Sequence, residues 1–185
     1  MRFGDSYMRV LGRSVVDVPR LKNFELSNNR LTEAGATKVL KKVAQRAVRL
    51  DLANNRIGMK GAETIAQVLE QKDSRLNFLN LENNALPLPA VHRILTAITT
   101  ARSFSQLRVL DLSNNSLQDG VSEDFAHLLR EGRLLELYLH WNSLRARFGA
   151  TFFDALRTCE TLRVLDLSNN KLGRQSEVHS TVLGA

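Results

Sequence analysis

The chain has 185 residues, 43% of them hydrophobic and 24% charged, and its net charge is +7. This composition fits one folded unit and excludes an intrinsically disordered chain, and no apolar run approaches the roughly 18 residues that span a bilayer. Residues 1–20 carry scattered charges and lack the apolar segment of a secretory signal. The single cysteine, Cys159, excludes an internal disulfide and favours a reducing compartment, so we expect a cytoplasmic, intracellular protein.

Six segments follow one pattern, LxxLxLxxNxL, in which L stands for leucine or another apolar residue. The asparagines that close the pattern are 26, 29, 31, 27 and 28 residues apart, and this nearly constant period predicts stacked repeats. Alternating apolar positions such as Leu110 and Leu112 predict a short strand with one buried face. The segments are Leu21–Leu31, Ala47–Ile57, Leu76–Leu86, Leu107–Leu117, Leu134–Leu144 and Leu162–Leu172.

Each of the first five segments is followed by a loop and then by apolar residues three and four positions apart. In the first repeat, Gly35 precedes Val39, Leu40 and Val43, a spacing that predicts a helix with one apolar stripe. Each repeat is therefore predicted to be strand, turn and helix, which makes the fold class α/β. We expect parallel strands to line an inner, concave wall and the helices to lie outside. Because one repeat cannot bury its apolar face alone, stability depends on stacking.

This pattern resembles the leucine-rich-repeat family, specifically the long-repeat subtype of ribonuclease inhibitor and the Ran GTPase-activating protein. The resemblance covers residues 21–172, with Phe24 and Ala47 standing where the pattern prefers leucine. It implies a horseshoe-shaped solenoid of six repeats. Residues 1–20 are expected to form a partial repeat or an N-terminal cap, and residues 173–185 a C-terminal cap or tail.

The asparagine of each repeat is predicted to be structural, although a column of polar residues looks like a binding site. Its side-chain amide leaves the strand where it can bond to the backbone of adjacent turns. Such a column would satisfy polar groups that the turns would otherwise bury unpaired. It consists of Asn29, Asn55, Asn84, Asn115, Asn142 and Asn170.

The residues between the inward leucines of each strand are predicted to face the concave wall. At the middle of the strand, four of the six positions are acidic and none is basic, although the chain as a whole is basic. This middle column is Glu25, Asp51, Asn80, Asp111, Tyr138 and Asp166. The column before it is Asn23, Arg49, Phe78, Val109, Glu136 and Val164.

The fifth repeat replaces the small polar residues of the other repeats with Tyr138, His140 and Trp141. Neighbouring strands lie ~4.8 Å apart, so the sequence predicts one continuous apolar strip of Phe78, Val109, Tyr138, Trp141 and Val164. Exposed Trp and Tyr ringed by charges are typical of binding hot spots; alternatively, Trp141 packs on the adjacent loop and stabilises the turn. The predicted partner-binding residues are Asp51, Phe78, Asn80, Val109, Asp111, Glu136, Tyr138, His140, Trp141 and Asp166.

The positive charges fall mainly on the predicted helices and rim loops, which favours a solvated convex face. A tighter cluster of Lys38, Lys41, Lys42 and Arg46 would suit an acidic partner or nucleic acid. No aromatic residues interleave with it, so base stacking has no support. The sequence therefore favours a protein partner with a basic and apolar surface over nucleic acid, a small-molecule substrate or membrane insertion.

The sequence predicts no enzyme, no cofactor and no metal site. It contains no phosphate loop, nucleotide-binding glycine motif or HExxH. Of the four histidines, only His140 is expected on the concave wall, where Asp111 or Asp166 would pair with it but no oriented nucleophile is evident. The acidic tail of the Ran GTPase-activating protein is missing and none of its functional positions can be matched, so that resemblance supports the architecture alone.

The expected function is a scaffold for protein–protein interactions. Three cellular settings fit: a cytoskeletal assembly such as a cilium or flagellum, the sensor end of an innate-immune receptor, or a regulator of a small GTPase. The strand LYLHWN, residues 137–142, is similar to those of axonemal proteins and favours the first setting.

Overall fold

The computed structural model describes residues 4–14, 18, 20–101 and 105–173, and these contain one six-stranded parallel sheet. The strands lie in the sheet in chain order, as expected when each repeat stacks on the one before it. A helix follows each of the first five strands, which confirms the predicted α/β solenoid. The strands are Asn23–Glu25 (β1), Arg49–Asp51 (β2), Phe78–Asn80 (β3), Val109–Asp111 (β4), Glu136–Tyr138 (β5) and Val164–Asp166 (β6).

The helices pack against one another in chain order on one side of the sheet. Short 3₁₀ turns at Ala44–Arg46 and Gln118–Val121 adjust the chain at the end of one helix and the start of another. Within the described ranges, no helix is long and apolar enough to cross a membrane. The helices are Gly4–Ser14 (α1), Glu33–Val43 (α2), Gly58–Leu69 (α3), Leu88–Thr100 (α4), Ser122–Glu131 (α5) and Ala146–Leu156 (α6).

The core is a single apolar cluster between the sheet and the helices. The central residue of each strand from β2 to β5 is a fully buried leucine, because alternate strand residues point to opposite faces. Phe24 takes this place in β1 and pairs with Leu50, so the departure from leucine keeps the register. Between α5 and α6, the rings of Phe148 and Phe152 stack at 5.0 Å, and Phe125 meets Phe148 edge-on at 5.9 Å.

The helix α1 lies against α2 as each later helix lies against the next. Asp5 of α1 accepts a hydrogen bond from the backbone N–H of Thr32, just before α2 begins. Gly35 permits this approach, since a Cβ at that position would collide with the Asp5 carboxylate. Residues 1–20 thus include a helix in the place of a repeat's helix, which fits either a partial repeat or a cap. Of the predicted C-terminal cap or tail, residues 174–185 lie outside the described residues.

The asparagine column ties each repeat to the one before it. In Asn115, the side-chain N–H groups donate to the carbonyls of Leu112 at 3.1 Å and of Leu81 in the preceding repeat at 2.9 Å. Its side-chain oxygen accepts from the backbone N–H groups of Asn84 and Leu86, both at 3.1 Å. Equivalent bonds to the preceding repeat are made by Asn55, Asn84, Asn142 and Asn170.

Replacing Asn115 with alanine is expected to lower the free energy of unfolding by about 3 kcal/mol, because it leaves buried backbone donors and acceptors without partners. Urea unfolding followed by circular dichroism measures this. The control is Asn114→Gly: Asn114 is exposed and has a φ of 54°, which glycine adopts freely, so little change is expected. Equal losses in both variants would show that the asparagine column does not carry this stability.

Candidate functional site

The surface of the sheet opposite the helices, together with the turns that follow the strands, is called the concave surface below. The strand register aligns equivalent positions across all six repeats, so that Asp51, Asn80 and Asp111 are consecutive neighbours in one column. Phe78 and Val109 are neighbours in the column before it. All ten residues predicted to bind a partner lie on this surface, and each is at least partly exposed.

The middle column also has a structural role. In four strands, the side-chain oxygen of the last strand residue accepts a hydrogen bond from the backbone N–H two residues later, at 2.9–3.0 Å. Such Asx turns end the strand and lead the chain into the turn. These residues were predicted only to bind a partner, but the recurrence of Asp or Asn at one position of the repeat also indicates this turn. The acceptors are Asp51, Asn80, Asp111 and Asp166.

Two carboxyl groups of this column have opposite pKa shifts. Burial raises the pKa of Asp111, and hydrogen bonds from Ser113 only partly offset this effect. Hydrogen bonds from the backbone and side chain of Ser168 lower the pKa of Asp166, which lies on the last strand. Asp166 is therefore the more stable anion of the two.

His140 lies among polar side chains of three repeats. Its Nδ1 is 2.8 Å from Ser113 Oγ and 3.3 Å from Asp166 Oδ2, and its Nε2 is 3.7 Å from Glu82 Oε1. In a nucleophile–base–acid relay, the serine and the aspartate contact different ring nitrogens. Here both contact Nδ1, and Ser113 is fully buried. The arrangement is therefore a network of polar contacts that joins the repeats, and its geometry is not that of such a relay.

The apolar strip that was expected to be continuous is divided. In the strand register, Glu136 lies between Val109 and Val164. At the other end of the column, the guanidinium carbon of Arg49 lies 3.4 Å from the centre of the Phe78 ring and covers one of its faces. On the concave surface, the most exposed large apolar side chains are therefore Trp141 and Val164, in the fifth and sixth repeats.

Tyr138 is held in place by its own strand. Its hydroxyl donates to Glu136 Oε2 at 2.8 Å, and this bond raises the pKa of the phenol. In the middle column, Tyr138 lies between Asp111 and Asp166. The ring thus stands between two carboxyl groups, and the bond to Glu136 holds its hydroxyl in place.

Trp141 has a backbone conformation that disfavours its side chain. It is 60% exposed, and its φ is 56°, in the left-handed region. That region costs residues other than glycine, asparagine and aspartate about 1–2 kcal/mol. Its exposure argues against the alternative that the ring packs into the adjacent loop. The other five repeats have asparagine at this position and in this conformation: Asn28, Asn54, Asn83, Asn114 and Asn169.

Other kinds of site find less support. Among the residues that the structure describes, no group of three or more His, Cys, Asp or Glu side chains could hold a metal ion. An open cleft of about 490 Å³ lies away from the concave surface, near the start of the strands, and sequence reasoning did not predict it. Lys72, Asp73, Arg75 and Asn77 are among its lining residues.

Comparison with known proteins agrees with the repeat architecture. The family model described as Leucine Rich Repeat matches residues 106–128, and a second model, Leucine Rich repeat, matches residues 48–66 and 158–174. Each matched segment contains one strand of the sheet and the asparagine that follows it. No curated protein matches the chain.

Replacing Trp141 with asparagine is expected to stabilise the fold by about 1 kcal/mol, because asparagine tolerates the left-handed conformation. Thermal and urea unfolding measure this. The reciprocal variant Asn114→Trp, in the preceding repeat, is expected to destabilise the fold by a similar amount. If Trp141→Asn instead lowers the free energy of unfolding, the Trp141 ring stabilises the fold, and its exposure has no cost in stability.

Replacing Asp111 with asparagine is expected to raise stability at neutral pH. Asn80 makes the same turn bond in the third repeat, so the bond to Ser113 should persist. Because the pKa of Asp111 is higher in the folded than in the unfolded chain, its ionised form weakens the fold, and protonation removes this penalty. The advantage of the variant should therefore shrink as the pH falls from about 7 to about 4. An advantage that is constant over this range in urea unfolding would contradict the assignment.

Proposed function

Because this chain is a leucine-rich-repeat protein, we propose that it is a scaffold that binds a protein partner on its concave surface. Repeat stacking produces a rigid sheet on which side chains from several repeats lie side by side at fixed spacing. We further propose the long-repeat, ribonuclease-inhibitor-like subtype. The asparagine period of 26 to 31 residues and the helix that follows each of the first five strands support this subtype.

The exposure of Trp141 is the observation that carries the proposal. Five repeats place asparagine in the left-handed turn, and only the fifth places a large aromatic ring there. Unfavourable backbone conformations tend to persist where function requires them. Tryptophan and tyrosine are the residues that most often dominate binding energy at protein interfaces, and here Tyr138 lies on the same repeat.

The charges around these rings define the partner's chemistry. The first and last residues of the six strands, together with Glu82 in the turn of the third repeat, include six acidic residues. Arg49 is the only lysine or arginine among these positions. Opposed charge would speed the encounter and orient a partner with a basic surface, while burial of the aromatic rings would supply most of the affinity. The six acidic residues are Glu25, Asp51, Glu82, Asp111, Glu136 and Asp166.

For the cellular setting, we propose an intracellular cytoskeletal assembly such as a ciliary or flagellar axoneme. The support is the likeness of the strand at residues 137–142 to strands of axonemal proteins, together with the single cysteine. Regulation of a small GTPase and recognition by an innate-immune receptor are the alternatives, and each predicts a different captured partner.

Affinity capture from cell lysate tests the concave site. The wild-type chain, Trp141→Asn and the double variant Tyr138→Ala, Trp141→Ala serve as baits after circular dichroism has shown equal folding. We expect the captured partner to fall by roughly tenfold or more in both variants, as for hot-spot residues. The matched control is Phe153→Ala, an exposed aromatic on α6 of the same repeat, which should retain the partner.

Two outcomes would contradict the proposal. If all baits return the same partners, recognition does not use Tyr138 and Trp141. If the captured material is nucleic acid and its retention collapses between about 50 and 200 mM salt, the interaction is driven by phosphate contacts, since that dependence is the signature of counterion release.

A further inference from the structure

A second charged surface lies at the opposite end of the solenoid from Trp141. It consists of Arg13 on α1 and Lys38, Lys41 and Lys42 on α2, and we call it the basic end. All four side chains are exposed, and within the described part of the chain none of them forms an ion pair.

Several cations on the later helices have acidic partners. From α2 to α6, each helix contacts the next through at least one pair of a basic and an acidic side chain, and Lys60, Arg93 and Arg130 each form an ion pair with a neighbouring helix or its end. The strongest pairing places Arg93 between Glu63 and Glu70, at 2.9 and 2.8 Å. The remaining pairs are Lys60 with Glu33, His92 with Asp124, and Arg130 with Asp154.

The two helices bring the cations of the basic end together. A Cβ at Gly12 would lie 3.8 Å from Lys42 Cγ and 3.9 Å from Val39 Cα, so the last turn of α1 abuts the last turn of α2. The partial negative charge of helix C-termini attracts cations and accounts for each cation in these last turns. It does not account for Lys38, which lies further from the end of α2, nor for the grouping of four cations.

Exposed apolar side chains accompany the basic end. Tyr7 is 59% and Val10 60% exposed, and they lie three residues apart on one face of α1. A basic surface with an exposed aromatic and an exposed aliphatic residue has the chemistry that the acidic, aromatic concave surface would bind.

We propose that the basic end of one copy of this chain binds the concave surface of a second copy. The inference rests on the proposed role of the concave surface. The dimensions agree: α1 has 11 residues, about 16 Å of helix, and the sheet has six strands spaced ~4.8 Å apart. Because the two surfaces differ, association is head-to-tail and builds short chains of copies.

The net charge of +7 opposes self-association at long range. At about 0.1 M salt, the screening length is about 10 Å, so this repulsion is largely screened while contacts between opposite charges persist. Sedimentation velocity at about 0.1 M salt is therefore the suitable test. The wild-type chain should show species larger than a monomer that increase with concentration.

Two variants each remove one surface. Tyr138→Ala, Trp141→Ala alters the concave surface, and Lys38→Glu, Lys41→Glu, Lys42→Glu reverses the basic end. Each alone should remain monomeric, but an equimolar mixture should form dimers and nothing larger, because one intact surface of each kind remains. The charge-matched control Lys72→Glu, Arg75→Glu, Arg133→Glu should associate like the wild type.

A wild-type chain that stays monomeric, a mixture that forms no dimers, or a charge-matched control that dissociates would each overturn this proposal. Oligomers that persist in either surface variant would also overturn the proposal, because such oligomers would form through other surfaces. The two proposals fail separately: if the chain is monomeric but Trp141→Asn still loses its captured partner, the concave site stands and self-association alone is wrong.

Discussion

The asparagine column supplies hydrogen-bond partners where the strands end. Every strand contains three residues and then turns away, so backbone groups at six successive strand ends would be buried without partners. Each asparagine from the second repeat on satisfies groups of its own repeat and of the repeat before it, for example when Asn142 accepts from the backbone N–H of Asn115 at 2.8 Å. The column therefore makes stacking obligatory and fixes the register in which the concave side chains meet.

That register exposes the side chain at position 141 and also imposes an unfavourable backbone conformation on it. Once the turn is fixed by its neighbours, the residue directly before each column asparagine takes the left-handed conformation, whatever its side chain. In five repeats the residue in this left-handed conformation is asparagine, which tolerates it. The fifth repeat displays an indole ring instead, beside a tyrosine held by Glu136. Arg30, Ala85 and Gln118 also have left-handed backbones, but among the described residues with positive φ only Trp141 exposes a large aromatic ring in this conformation. An exposed ring in an unfavourable conformation is the pattern expected where function outweighs stability.

The sequence alone was sufficient for the fold and for the placement of the columns. A strand has a period of two, and the repeat pattern aligns equivalent residues, so the neighbours of Asp111 followed directly from the spacing. Side-chain contacts could not be obtained in this way. The stacking of Arg49 on Phe78 and the contact of His140 with both Ser113 and Asp166 depend on rotamers that the pattern does not determine. The left-handed turn at Trp141 does have a sequence signal, because the other five repeats place asparagine at this position and asparagine tolerates that conformation.

In the proposed complex a partner covers Trp141, which is the only tryptophan in the chain. Incorporation of 5-fluorotryptophan therefore labels a single site, and its ¹⁹F resonance reports the surroundings of that ring alone. On titration with the captured partner, the resonance should move and lose its sensitivity to exchange of H₂O for D₂O, because the ring leaves the solvent. A partner that saturates the chain while the resonance and its solvent sensitivity stay unchanged would show that Trp141 is not at the interface.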